Sequence, residues 1–146
     1  MAEKVPQTYA NHVRFVPGYH FVALALLFLN LVWSVVVIFR HFSASAVVNA
    51  LTAVALLLVW AYVRVFAVGN QDRIIRLEMW LRLERVLPAE QKGRVRALTT
   101  KQLVALRFAG DAELPGLVKQ VLDGQLTDQK QIKLAIKDWQ ADFQRV

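Results

Sequence analysis

The sequence predicts an all-α protein: an integral membrane helical hairpin of two transmembrane helices, followed by a small cytoplasmic helical domain. Three observations carry that expectation. Two apolar runs, Tyr19–Phe39 and about Ala44–Val63, contain no Asp, Glu, Lys or Arg. Each is about 20 residues long, and a helix of that length rises ~30 Å, the thickness of a bilayer's hydrocarbon core. Beyond Val63 the composition shifts. Charges return every few residues and apolar positions recur with helical spacing. The 146 residues divide accordingly into an N-terminal arm (1–18), a hairpin (19–66) and a helical tail (67–146).

The arm is polar and punctuated by Pro6 and Pro17, and Pro17-Gly18 predicts a turn or helix stop before the first span. The first run reads as a retained helix. It is longer than the ~7–15-residue apolar core of a signal peptide, and no small-x-small cleavage site follows it. Arg40, His41 and Phe42 follow instead. Lys4 and Arg14 precede the first span, and Arg64, Arg73 and Arg76 follow the second, whereas the connection carries only Arg40. Cations concentrate on the cytoplasmic side of spans, so both termini are expected to be cytoplasmic. Aromatic residues fit that register: Tyr19, Phe21, Trp60, Tyr62 and Phe66 at the inner interface, Phe39 and Phe42 at the outer one.

The tail reads as four helical stretches. The first, about Asn70 to Leu87, can continue the second span and is ended by Pro88. The second, about Ala89 to Phe108, is broken near Leu98, where Thr99 and Gln102 form a capping-box pattern. Gly110 can terminate it. The third starts at Asp111 as N-cap and ends near Gly124. Its stripe is Leu114, Leu117, Val118, Val121 and Leu122, with Pro115 tolerated in the first turn. The fourth starts at Thr127 and aligns Ile132, Ile136, Trp139 and Phe143 on one face.

The phrases YANHVRFVPGYHF, QDRIIRLEMWLRL, LTTKQLVALRFAGDAELP and IKLAIKDWQADFQRV resemble a family of small bacterial two-span membrane proteins of uncharacterised function. The resemblance covers nearly the whole chain. It implies the two-span hairpin with a helical tail, in a bacterial inner membrane, and it implies no activity.

Within the spans, Asn30 and Ser34 share one face of the first helix, and Asn49 and Thr52 one face of the second. An unpaired amide in hydrocarbon costs several kcal/mol, so these four are expected to meet each other or a neighbouring protein as helix–helix packing residues. Ala23, Ala46, Ala50 and Ala53 allow close approach beside them. Arg14, Arg64, Arg73 and Arg76 are expected to meet anionic lipid headgroups at ~1 kcal/mol per cation. Spacing also pairs Asp72 with Arg76 and Glu78 with Arg82. The 70–87 helix has two apolar faces. Ile74, Leu77 and Leu81 lie on one, and Ile75, Met79, Leu83 and Val86 on nearly the opposite one. A surface helix buries one stripe, so the second face is expected to meet another subunit or the membrane surface. The Ile75, Met79, Leu83 and Val86 set is assigned as that assembly face.

Other function classes find little support. There is no cysteine, hence no disulfide and no thiolate chemistry. The formal charge of +7 is explained by cations flanking the spans, and no groove-reading basic motif points to nucleic acid. No phosphate loop, GxSxG elbow or HExxH motif is present. His12, His20 and His41 read as interfacial polar anchors, with His20 the best axial ligand were a pigment bound. No catalytic residue, metal or cofactor is expected. The expected role is a non-catalytic subunit of a homo-oligomer or a larger membrane complex. The alternative is a homo-oligomeric channel or transporter-like protein, disfavoured because no ionisable residue lies at mid-span.

Overall fold

The computed structural model describes residues 6–12 and 15–142. Their regular secondary structure is helical, with one isolated antiparallel bridge between Ala109 and Trp139 and no strand among them. They form two compact units, divided at Phe15 and Gly69.

The first unit, Phe15–Val68, is an apolar hairpin. Pro17 does not stop the chain but starts its first helix, with helical φ −55° and ψ −43°. Proline suits that place, because its missing N–H belongs to the turn that has no helical acceptors. A π-helical turn, Gly18–Ala23, leads into α1, Leu24–Arg40. Ser43 Oγ accepts from the Ala46 N–H at 3.2 Å at the start of α2, Ala44–Val86. Gly18–Arg40 and α2 are each long and apolar enough to cross a membrane. At 43 residues α2 is about twice the length a crossing needs. It therefore carries both the second apolar run and the charged 70–87 segment as one helix.

Small side chains close the hairpin. Ala46, Ala53 and Ser34 are buried, whereas Leu26, Leu29, Trp33, Leu51 and Val59 face outward. Near the open end, the Tyr19 and Trp60 rings stack at 5.1 Å. The Tyr19 hydroxyl donates to the Trp60 carbonyl. Trp60 Nε1 donates to the Tyr19 carbonyl at 3.1 Å. Trp60→Leu removes the stack and one donor, and is expected to weaken the hairpin by about 1 kcal/mol. The thermal unfolding of the detergent-solubilised protein measures this; an unchanged midpoint would show that the clasp contributes nothing.

The second unit joins the described arm residues 6–12 to the chain from Gly69 onward. The arm is held by a reciprocal amide pair: Gln7 Nε2 donates to the Asp142 carbonyl at 3.1 Å, and the Asp142 N–H donates to Gln7 Oε1 at 2.9 Å. Pro88, at ψ 152°, ends α2 sharply and turns the chain back. A short α3 (Ala89–Lys92), a 3₁₀ turn (Val95–Ala97) and extended Leu98 follow. Then α4, Thr100–Leu106, starts on the capping box of Thr99 and Gln102, where the sequence places the break.

The core of this unit settles which face of α2 its own chain covers. Ile75, Met79 and Leu83 are buried with Leu103, Leu106, Phe108, Leu114, Val118 and Ile132, and Val86 packs half-buried against the same cluster. The assigned assembly face is therefore internal. The chain folding back after Pro88 covers it. The opposite face stays open: Ile74, Leu77 and Leu81 are 56%, 59% and 75% exposed.

The last two helices are shorter than their periodicity suggests. In α5, Leu114–Leu122, Glu113 rather than Asp111 takes the N-cap place, and Gly124 closes the helix at φ 75°. Capped by Asp128 and Gln131, α6 covers only Gln129–Ala135, because Ile136 turns extended at ψ 126°. Tertiary bonds compete with the helix there. The Glu113 carboxylate accepts from the N–H groups of Lys137 and Asp138 at 3.1 and 3.2 Å. The Gly110 N–H donates to the Asp138 carbonyl at 2.9 Å, and the Gln140 N–H to the Phe108 carbonyl at 2.7 Å. Gly110 allows this approach, since a Cβ there would lie 2.1 Å from Asp138 Oδ2. The expected one-face stripe through Trp139 is thus broken after Ala135. Trp139 still reaches the core, its ring 4.9 Å from that of Phe108. Phe143 lies outside the described residues.

Candidate functional site

Both units carry clefts among the described residues. In the hairpin, Asn30, Ser34, Asn49 and Thr52 line a cleft of about 260 Å³ with Trp33, Val37 and Ala46. The four expected packing residues are therefore neighbours. They are not joined by direct cross-helix hydrogen bonds among the described residues. Ser34 Oγ donates to the Asn30 carbonyl at 2.8 Å and Thr52 Oγ1 to the Val48 carbonyl at 2.9 Å, each within its own helix. Hydroxyls in helices satisfy themselves this way when no partner is closer. The Asn30 and Asn49 side chains stay exposed.

The expected headgroup cations are dispersed. Arg14 lies outside the described residues, Arg64 is half-buried in the hairpin unit, and Arg73 is exposed in the tail unit. Arg76 lays its guanidinium over the Trp80 ring, 4.4 Å from the centroid. Arg82 turns away from Glu78. Its Nε donates to Asp111 Oδ1 at 2.7 Å, and its terminal nitrogens donate to the carbonyls of Arg107 and Ala109 at 3.1 and 2.6 Å. A spacing rule along one helix has no view of an acceptor 29 residues away.

Two of the histidines make local bonds, and His41 is exposed at the hairpin connection. His20 Nδ1 accepts from the Val16 N–H at 3.0 Å, at the start of the first helix. His12 lies in the tail unit, with Nδ1 2.7 Å from the Tyr9 carbonyl and Nε2 3.0 Å from Lys133 Nζ. An ammonium only donates, so Nε2 accepts and Nδ1–H donates to Tyr9.

The larger cleft, about 970 Å³, belongs to the tail unit. Arg76, Trp80, Leu81 and Glu84 form the α2 wall. Lys92, Val95, Arg96, Leu98, Thr99 and Thr100 form the other. Three cations thus face a single carboxylate. Trp80 Nε1 is buried and has no acceptor among the described residues. The sequence shows Arg76, Trp80 and Glu84 as a helix stripe. Lys92 and Arg96 join them only because Pro88 folds the chain back, and no local pattern announces that. Among the described residues no cluster of His, Asp and Glu suits a metal ion.

No curated protein and no solved structure matches the chain. A family model does, over residues 1–146, and the quoted phrases, the apolar hairpin and the helical tail all lie within that match. The chain belongs to the family of unknown function DUF6526.

Proposed function

We propose that the protein is a non-catalytic integral membrane protein of the bacterial cytoplasmic membrane, with both termini cytoplasmic, that works as a subunit of a homo-oligomer or a larger membrane complex. The observation that carries this reading is the open apolar face of Ile74, Leu77 and Leu81 on the part of α2 beyond the apolar hairpin. Its own chain leaves that face uncovered, and contiguous exposed apolar surface marks contact with protein or membrane. Membrane insertion is supported by the length and apolarity of the two hairpin helices. The orientation rests on the excess of Arg64, Arg73 and Arg76 over the lone Arg40 of the connection. Exposed Arg73 remains available to anionic headgroups.

A second reading, a homo-oligomeric channel or transporter-like protein, is favoured by the polar cleft of the hairpin, where the Asn30 and Asn49 side chains are open. In hydrocarbon such amides require partners, and further copies can supply them. Particle mass in mild detergent tests both readings. The wild type is expected to run well above the 16.6 kDa chain. Leu77→Glu with Leu81→Lys should return it to the single-chain mass under the assembly reading. Asn30→Leu with Asn49→Leu should do so under the channel reading. A wild-type particle of one chain would refute both.

A further inference from the structure

We propose that the larger cleft of the tail unit binds an amphiphilic anion: a phosphate or carboxylate held by Arg76, Lys92 and Arg96, with an attached apolar part lying on Trp80 and Leu81. The site lies within the tail unit, and because Leu81 also belongs to the open face of α2, its test varies only the cations and Glu84.

Charge is the first argument. Arg82, Arg94 and Arg107 each have a carboxylate partner within 3.2 Å. Arg76, Lys92 and Arg96 line one cleft and have no ion pair among the described residues. The cleft offers them one carboxylate, Glu84. Like charges lining one cleft repel, and a bound anion offsets that repulsion by its attraction to each of them. Arg76 is also held in place, because its guanidinium rests on the Trp80 ring. An ordered cation loses less freedom when it binds.

Shape and lining are the second argument. About 970 Å³ falls within the ~300–1,000 Å³ typical of small-molecule sites. The wall sets the accessible apolar surface of Trp80 and Leu81 beside the cations, with the core residues Val95 and Leu98 behind it. A purely polar anion would leave that apolar surface wet, and a neutral lipid chain would leave the cations unpaired. An anion carrying an apolar group satisfies both. A membrane phospholipid and a soluble organic phosphate share this chemistry.

The test uses the full chain purified in dodecyl maltoside, with two probes. Hexyl phosphate, a soluble amphiphilic anion, is titrated by calorimetry. Phosphatidylglycerol, offered beside phosphatidylcholine, is counted per chain by native mass spectrometry. Saturable binding of hexyl phosphate is expected, weakened at least about tenfold in Arg76→Gln with Arg96→Gln. Glu84→Gln is expected to tighten it, a gain that a misfolded protein cannot mimic. Retained phosphatidylglycerol, in preference to phosphatidylcholine and lost in the double variant, identifies a lipid as the source. Hexyl phosphate binding without retained phosphatidylglycerol identifies a soluble anion. A double variant that binds either probe as the wild type does overturns the proposal, and so does the absence of saturable binding by both probes.

Discussion

Leu83→Lys is expected to unfold the tail unit, whereas Leu81→Lys, two residues away on the same helix, leaves it folded. Leu83 is completely buried among Met79, Leu103, Phe108 and Leu114. Removing a core leucine costs about 2–5 kcal/mol, and an unpaired buried ammonium adds several more. A domain of this size holds only about 5–10 kcal/mol in total. Leu81 is 75% exposed, so its replacement by lysine removes little burial. Limited trypsin digestion of the full chain in mild detergent, with a helix melt followed by circular dichroism, separates the two. Equal protease resistance of both variants would show that the buried and open faces of α2 are wrongly assigned. The contrast also guards the assembly experiment, because a change of particle mass is informative only for variants whose tail still folds.

Arg82→Met is expected to destabilise the tail unit by about 3 kcal/mol, while Asp111→Asn costs less than about 1 kcal/mol. The Arg82 side chain is 15% exposed and ties α2 to the 107–111 turn through two carbonyls as well as Asp111. Without it, the acceptors of Arg107 and Ala109 lose charged donors at a place where water reaches poorly. Asp111 is 51% exposed, so solvent already weakens its ion pair, and an asparagine keeps an acceptor for Nε. Urea denaturation of each variant, monitored by tryptophan fluorescence in a Trp33→Phe, Trp60→Phe background that leaves Trp80 and Trp139 as reporters, gives the two numbers. Equal losses would mean that the ion pair, not the carbonyl bonds, is what Arg82 contributes.

The sequence by itself determined the features whose causes are local. Two uncharged apolar runs specify long helices, whatever they pack against, because length and composition are properties of the segment. Pro88 stops α2 because proline acts on its own backbone and its neighbour's. Thr99 and Gln102 cap α4 because both bonds close within four residues. Only the tertiary structure decided the rest. The sequence shows that α2 has two apolar faces, but which one is buried depends on where the chain after Pro88 returns. That return covers Met79 and Leu83 and leaves Leu77 and Leu81 open. Arg82 and Asp111 meet across 29 residues, and α6 ends early because Glu113 accepts from, and the Gly110 N–H donates to, the segment that periodicity would keep helical. The cationic cleft likewise needs Lys92 and Arg96 to be laid beside Arg76. Each of these outcomes is a choice between partners that the local chain accommodates about equally, so it is made by the contacts that close the loops and not by the residues on either side.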